Sequence, residues 1–106
     1  MKPHLLMLIT AVSVVAFPVH AADHVVDQKN TAFSTSTLDV KLGDTVSFKN
    51  SDTTAHNVYS LSDAKTFDLG SSAPNTVKKV TMDKPGTVDV ECALHPSMRM
   101  KINVSK

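Results

Sequence analysis

Apolar and polar residues alternate with a period of two in one short run after another between His24 and Val104, which commits the chain to β-strands. In Thr37–Leu42 the residues Leu38, Val40 and Leu42 fall on one face, with Asp39 and Lys41 on the other. Thr45–Lys49 alternates through Val46 and Phe48, and Thr87–Cys92 through Val88 and Val90. Met100–Val104 closes the chain with Met100, Ile102 and Val104 on one face, and His24–Gln28, His56–Ser60 and Val77–Met82 read as further short strands. Reversals fall where turn chemistry permits them, at Gly43-Asp44, Asn50-Ser51-Asp52 and Asp83-Lys84-Pro85-Gly86. Helical periodicity is absent. The pattern predicts an all-β fold, a small antiparallel Greek-key β-sandwich. Leu61–Asn75 is expected to be a long irregular connection with one helical turn near Ala64–Phe67.

The start of the chain does not share the pattern. A short basic opening, Met1–His4, leads into the uncharged run Leu5–Phe17, and Val19 and Ala21 supply small residues at the places a signal peptidase prefers. The run is shorter than the roughly 20 residues a spanning helix needs. Residues 1–21 are therefore expected to be a cleaved secretory signal and residues 22–106 the mature domain; a cut after Ala22 is the alternative. Export points to the periplasm. The charges nearly balance, with 11 basic and 10 acidic side chains, which argues against a nucleic-acid partner. Cys92 is the only cysteine, so no disulfide forms within the chain. Small domains often need a staple, and a bound metal would supply it. An unpaired cysteine in an oxidising compartment is a free thiol, an intermolecular partner or a ligand.

Phase narrows these options. Val88 and Val90 are the inward positions of their run, so Cys92 also points inward, at the end of a strand. His95 follows three residues later and Met98 three after that, while His56 shares strand parity with Val58. Two histidines and a cysteine in a near-trigonal set, with a weak axial methionine, describe a blue-copper site. The thiolate suits Cu(I), imidazole tolerates both oxidation states, and the thioether is too weak to impose either ion's preferred geometry. Structural zinc sites use cysteine and histidine but not methionine. Taken singly, Cys92 reads as a small core hydrophobe, His56 as a surface residue and Met98 as core filler. Their order and spacing together favour ligands.

Glu91–Val104 (ECALHPSMRMKINV), Leu42–Asn50 (LGDTVSFKN) and Ala55–Val58 (AHNV) resemble the cupredoxins, the plastocyanin- and amicyanin-like type 1 blue copper proteins. The resemblance covers nearly all of the mature chain. It implies His56 and His95 as ligands through Nδ1, with Cys92, and with Met98 as the axial ligand. It also implies that Asn57 ties the two ligand-bearing loops together by hydrogen bonds. Two departures stand out: Leu94 precedes His95 where many relatives have proline, with Pro96 after it, and Met100 lies at the longer spacing of plastocyanin-like loops. Met98 is preferred because Met98–Lys101 aligns with the family's Met-x-Gly-Lys, and because Met100 is in phase with Ile102 and Val104. His24 has no partner at ligand spacing and reads as a strand-edge residue, although a mature N-terminus this close to a histidine can bind Cu(II).

The expectation is a periplasmic type 1 copper protein, with one Cu(I)/Cu(II) ion per chain, carrying single electrons between redox proteins. Protein ligands fill the coordination positions, so an enzyme is not expected. His95, ringed by Leu94, Pro96 and Ala55, is the expected site of transient docking with a redox partner. The alternative is a copper-tolerance or copper-carrier protein that sequesters the ion at the same residues, although the chain lacks the Met- or His-rich tracts of many carriers. A copper oxidase or nitrite reductase fragment would need further histidines, and only His24 is to spare. A monomer without stable membrane insertion is expected.

Overall fold

The structure, a computed structural model, describes residues 21–106, so the expected signal segment falls outside the described residues except for Ala21. The strands are β1 (Asp23–Lys29), β2 (Ala32–Phe33), β3 (Thr37–Lys41), β4 (Thr45–Asn50), β5 (His56–Ser62), β6 (Lys65–Ser72), β7 (Val77–Thr81), β8 (Gly86–Cys92) and β9 (Arg99–Ser105). They form a sandwich of two sheets, ordered β2-β1-β4-β7 and β3-β9-β8-β5-β6. No helix forms among the described residues.

Alternation builds the core. Val26, Val46, Phe48 and Val80 turn inward from one sheet, and Val40, Val58, Val88, Val90, Met100, Ile102 and Val104 from the other. Register matches like with like, pairing Val46 with Val80, Val88 with Ile102 and Val90 with Met100. The buried ring of Phe48 lies between Phe33 and Phe67, with centroids 6.3 and 6.2 Å away. Leu42, expected on the inner face, lies just beyond β3 and is 44% exposed.

Each sheet also contains one parallel pair, β1 with β4 and β3 with β9. Strand direction is a property of the connections between sheets, and residue alternation does not encode it.

The expected irregular stretch Leu61–Asn75 is corrected. Its middle is β6, which folds back antiparallel on β5 with Ser62 opposite Lys65, and no helical turn forms. Phe67 and Leu69 lean on the core while Thr66 and Asp68 face out. An edge strand buries only half of one face, so its apolar signal is weak beside its serines and aspartates. The short β2 was also not foreseen. Asn30 and Thr31 reverse the chain before it with φ of 54° and 56°, the conformation of a tight hairpin turn.

The architecture sends four strand ends to one place. β4 finishes at Asn50 and β8 at Cys92, while β5 starts at His56 and β9 at Arg99. The loops 51–55 and 93–98 therefore close the same end of the sandwich.

Candidate metal centre

Three donor atoms meet at that end. Nδ1 of His56 lies 3.1 Å from Nδ1 of His95, and Sγ of Cys92 lies 3.6 and 3.8 Å from these two nitrogens. His56 and Cys92 are buried and His95 is half-buried. The imidazole rings meet at 61° with centroids 4.9 Å apart.

Protons and lone pairs decide what such a triangle can hold. Nε2 of His56 is 3.0 Å from the Asp52 carboxylate, which can only accept, so this nitrogen carries the ring proton. Nδ1 then presents a lone pair to the cluster. Sγ of Cys92 accepts the Asn57 N–H at 3.4 Å, which fixes the position of the sulfur. Three donor atoms that converge this closely can share a single cation. A point about 2 Å from all three exists, the bond length imidazole nitrogen gives to a d-block ion. The donors fit one soft or borderline metal ion.

Backbone hydrogen bonds set this geometry. In the loop after β8, His95 N–H donates to Cys92 O at 3.3 Å, Met98 N–H to His95 O at 2.9 Å, and Cys92 N–H to Met98 O at 3.2 Å. Three consecutive bonds wind the six-residue step into a compact loop that brings Met98 back beside Cys92. Met98 is 1% exposed yet lies outside the core cluster, whereas Met100 belongs to it. Asn57 links the two loops through its backbone: its N–H reaches Cys92 Sγ and its carbonyl accepts the Ala93 N–H at 2.9 Å. Its side-chain amide turns outward to Asp68 at 2.8 Å.

Two residues that sequence reasoning passed over hold the loop before His56. Asn50 is fully buried, and its amide donates to the carbonyls of Thr54 and Ser72 at 3.0 and 2.9 Å, while its Oδ1 accepts the Asp52 N–H at 2.9 Å. Asp52, besides receiving the His56 proton, accepts the Thr31 N–H at 2.9 Å. That N–H first, and the His56 ring second, hold its carboxyl below the usual carboxylate range. The carboxylate thus braces the unusual Asn30-Thr31 turn against the metal-binding loop. An acidic residue four places before a histidine was the only signal in the sequence, and Asn50-Ser51-Asp52 read there as a turn. Beside the donors, on the outer face of the sheet, Tyr59 OH donates to Glu91 at 2.8 Å and Arg99 pairs with the same carboxylate at 3.2 Å.

Comparisons with known proteins agree with this chemistry. The methylamine utilization protein MauL of Methylorubrum extorquens is 35% identical over 69 residues, covering 64% of this chain and 60% of that protein. Among solved structures, a Cu(I) amicyanin variant is 29% identical with a TM-score of 0.73, covering 78% of this chain and 82% of the other. A reduced amicyanin variant is 30% identical with a TM-score of 0.73, covering 83% and 87%. A purple cupredoxin from Nitrosopumilus maritimus, 20% identical over 78% of this chain and all of its own, has a TM-score of 0.70 and shares the fold. The family described as copper binding proteins of the plastocyanin/azurin type matches residues 20–105. The chain belongs to the plastocyanin/azurin family of copper binding proteins.

Proposed function

We propose that this chain is an exported single-electron carrier in which His56, Cys92, His95 and Met98 hold one type 1 copper ion. The observation that carries the reading is the convergence of Nδ1 of His56, Nδ1 of His95 and Sγ of Cys92, with Met98 brought back beside Cys92 by the backbone hydrogen bonds of its loop. Copper supplies a one-electron couple at this set of donors.

The residues around it make that couple fast and selective. His56 cannot turn, because Asp52 holds its far nitrogen and the sandwich buries its ring. Cys92 is fixed between the Asn57 N–H and its own loop carbonyl contacts. A donor set locked by hydrogen bonds moves little when the charge changes by one, so little reorganisation accompanies transfer. Buried Cys92 and Met98 keep water from the centre. His95 alone approaches the surface, where Leu94 is 56% exposed and Pro96 is exposed beside it. This small apolar rim suits a brief, low-area contact with a redox protein, and the His95 ring edge is the shortest way in for an electron. The periplasm is the proposed location, reached by removal of residues 1–21 from the domain 22–106.

The test is the visible spectrum of the Cu(II)-loaded protein beside Cys92→Ser. An intense thiolate-to-copper band, bleached by ascorbate and lost in the variant, is expected. A colourless protein would overturn the reading.

A further inference from the structure

The first residues of β1 gather around a carboxylate remote from the metal centre. Asp44, 5% exposed, sits in the turn between β3 and β4. Its Oδ1 accepts the Ala22 N–H at 2.9 Å; its Oδ2 accepts the Lys41 N–H and the Nε2–H of His24, each at 2.9 Å. Since a carboxylate only accepts, the His24 proton resides on Nε2 and the lone pair on Nδ1. Among the described residues that Nδ1 has no hydrogen-bond partner, and the ring is 25% exposed.

Sequence position gives this arrangement chemical meaning. His24 is the third residue after the Ala21–Ala22 junction, where the leader is expected to be cut. A free amine two residues before a histidine offers four nitrogens in succession: the amine, two backbone amides and the imidazole. Bound together they form fused chelate rings in one plane, the arrangement that Cu(II) and Ni(II) prefer. On binding, the ammonium and both amides each release a proton. The last ring closes only through Nδ1, the nitrogen that Asp44 leaves bare. One carboxylate thus holds both ends of the chelate, the Ala22 nitrogen on one oxygen and the imidazole on the other.

The strand can accommodate the change. Asp23 and His24 are the first residues of β1 paired with β4, and β2 reaches only Gln28 and Lys29 on the other edge. Because Thr45 N–H donates to Ala22 O, the parallel pattern directs the His24 N–H at β4 and leaves that of Asp23 outside the ladder. Chelation therefore costs one ladder bond, at a strand end where fraying is cheap.

We propose that processing after Ala21 creates a second metal site, Ala22-Asp23-His24, which binds one Cu(II) through the Ala22 amine, the Asp23 and His24 amides and Nδ1 of His24. The inference rests on the export reading, because without the cut Ala22 has no free amine. The two sites are separate: about 13 Å of strand rise lies between His24 and Gln28, which pairs with Asn50 at the other end of the sandwich.

The experiment titrates the processed protein, carrying a single equivalent of copper at the thiolate site and stripped of any further copper, with Ni(II), after intact mass has identified its first residue. Uptake of one equivalent, with the visible band of square-planar nickel, is expected. His24→Ala loses it, and so does a chain with one glycine added before Ala22, which moves the histidine to the fourth place without touching the fold. Both keep the thiolate-to-copper band. No nickel uptake by a chain beginning at Ala22, uptake that survives both changes, or a mature chain that begins elsewhere would each overturn the proposal. Nickel uptake as expected in a protein lacking the thiolate band would uphold this site and count against the type 1 reading alone.

Discussion

The carboxylate of Asp52 accepts the Nε2 proton of His56 at 3.0 Å, and this contact fixes which nitrogen of the ring faces Cys92 and His95. The same carboxylate takes the Thr31 N–H, so the β1–β2 turn and the metal loop share one anchor. A carboxylate behind a metal-bound imidazole raises the basicity of the ligand and fixes its orientation.

Asp52→Asn keeps the size of the side chain but removes the negative charge. Copper(II) affinity is expected to fall about 10- to 100-fold, the usual cost of losing such a contact. The reduction potential is expected to rise, because the less basic imidazole favours the more highly charged ion less. Voltammetry and competition with a chelator measure both, and an unchanged potential would show that Asp52 only braces the loop.

Met98 and Met100 are separable by experiment. Met100 packs in the core, so Met100→Ala is expected to cost about 2–5 kcal/mol of stability and to leave the visible spectrum unchanged. Met98 lies outside the core cluster, so Met98→Ala is expected to move the spectrum and the potential, with a smaller loss in the copper-free protein. Denaturant melts and spectra of the two variants decide the assignment, and the reverse pattern would make Met100 the axial ligand.

Removing copper should destabilise the fold from the end of the sandwich. A ligand present at a hundred times its dissociation constant adds about 2.7 kcal/mol. Calorimetry of the copper-loaded and copper-free forms is expected to show a clear drop in Tm on removal. Hydrogen exchange should rise first in loops 51–55 and 93–98, and uniform loosening would contradict this.

Asp68 links the centre to the outer strand. The Gly70 N–H, followed by the Asn57 amide, lowers its carboxyl pKa below the usual value. A carboxylate depressed on folding stabilises the protein above its unfolded pKa, and that contribution is lost as pH falls through the folded value. Asp68→Asn is therefore expected to be less stable than the parent at neutral pH, with the difference vanishing in acid. Parallel unfolding curves from pH 7 to 2 measure it, and a constant gap would exclude the carboxylate's charge as its cause.

Most of the inner face was legible because alternation is a local property. Val46, Phe48, Val88, Val90 and Ile102 declare their direction from their immediate neighbours, and Cys92 inherits its inward direction from that run. The spacing from Cys92 through His95 to Met98 was readable for the same reason: seven consecutive residues form one local unit. The edge strand β6 was misread because half-burial leaves it with a diluted pattern.

The residues that complete the site were hidden in a different way. Nothing local in Asn50 or Asp52 reveals that one amide spans the carbonyls of Thr54 and Ser72, or that one carboxylate meets both Thr31 and His56. By itself, the sequence determined strand phase, the inward thiol and the donor types. Tertiary structure alone decided strand direction, the meeting of His56 with a loop 36 to 39 residues away, and the tautomers of His56 and His24. Phase and donor chemistry reside in neighbouring residues, whereas proton positions depend on which distant group the folded chain brings within hydrogen-bond reach.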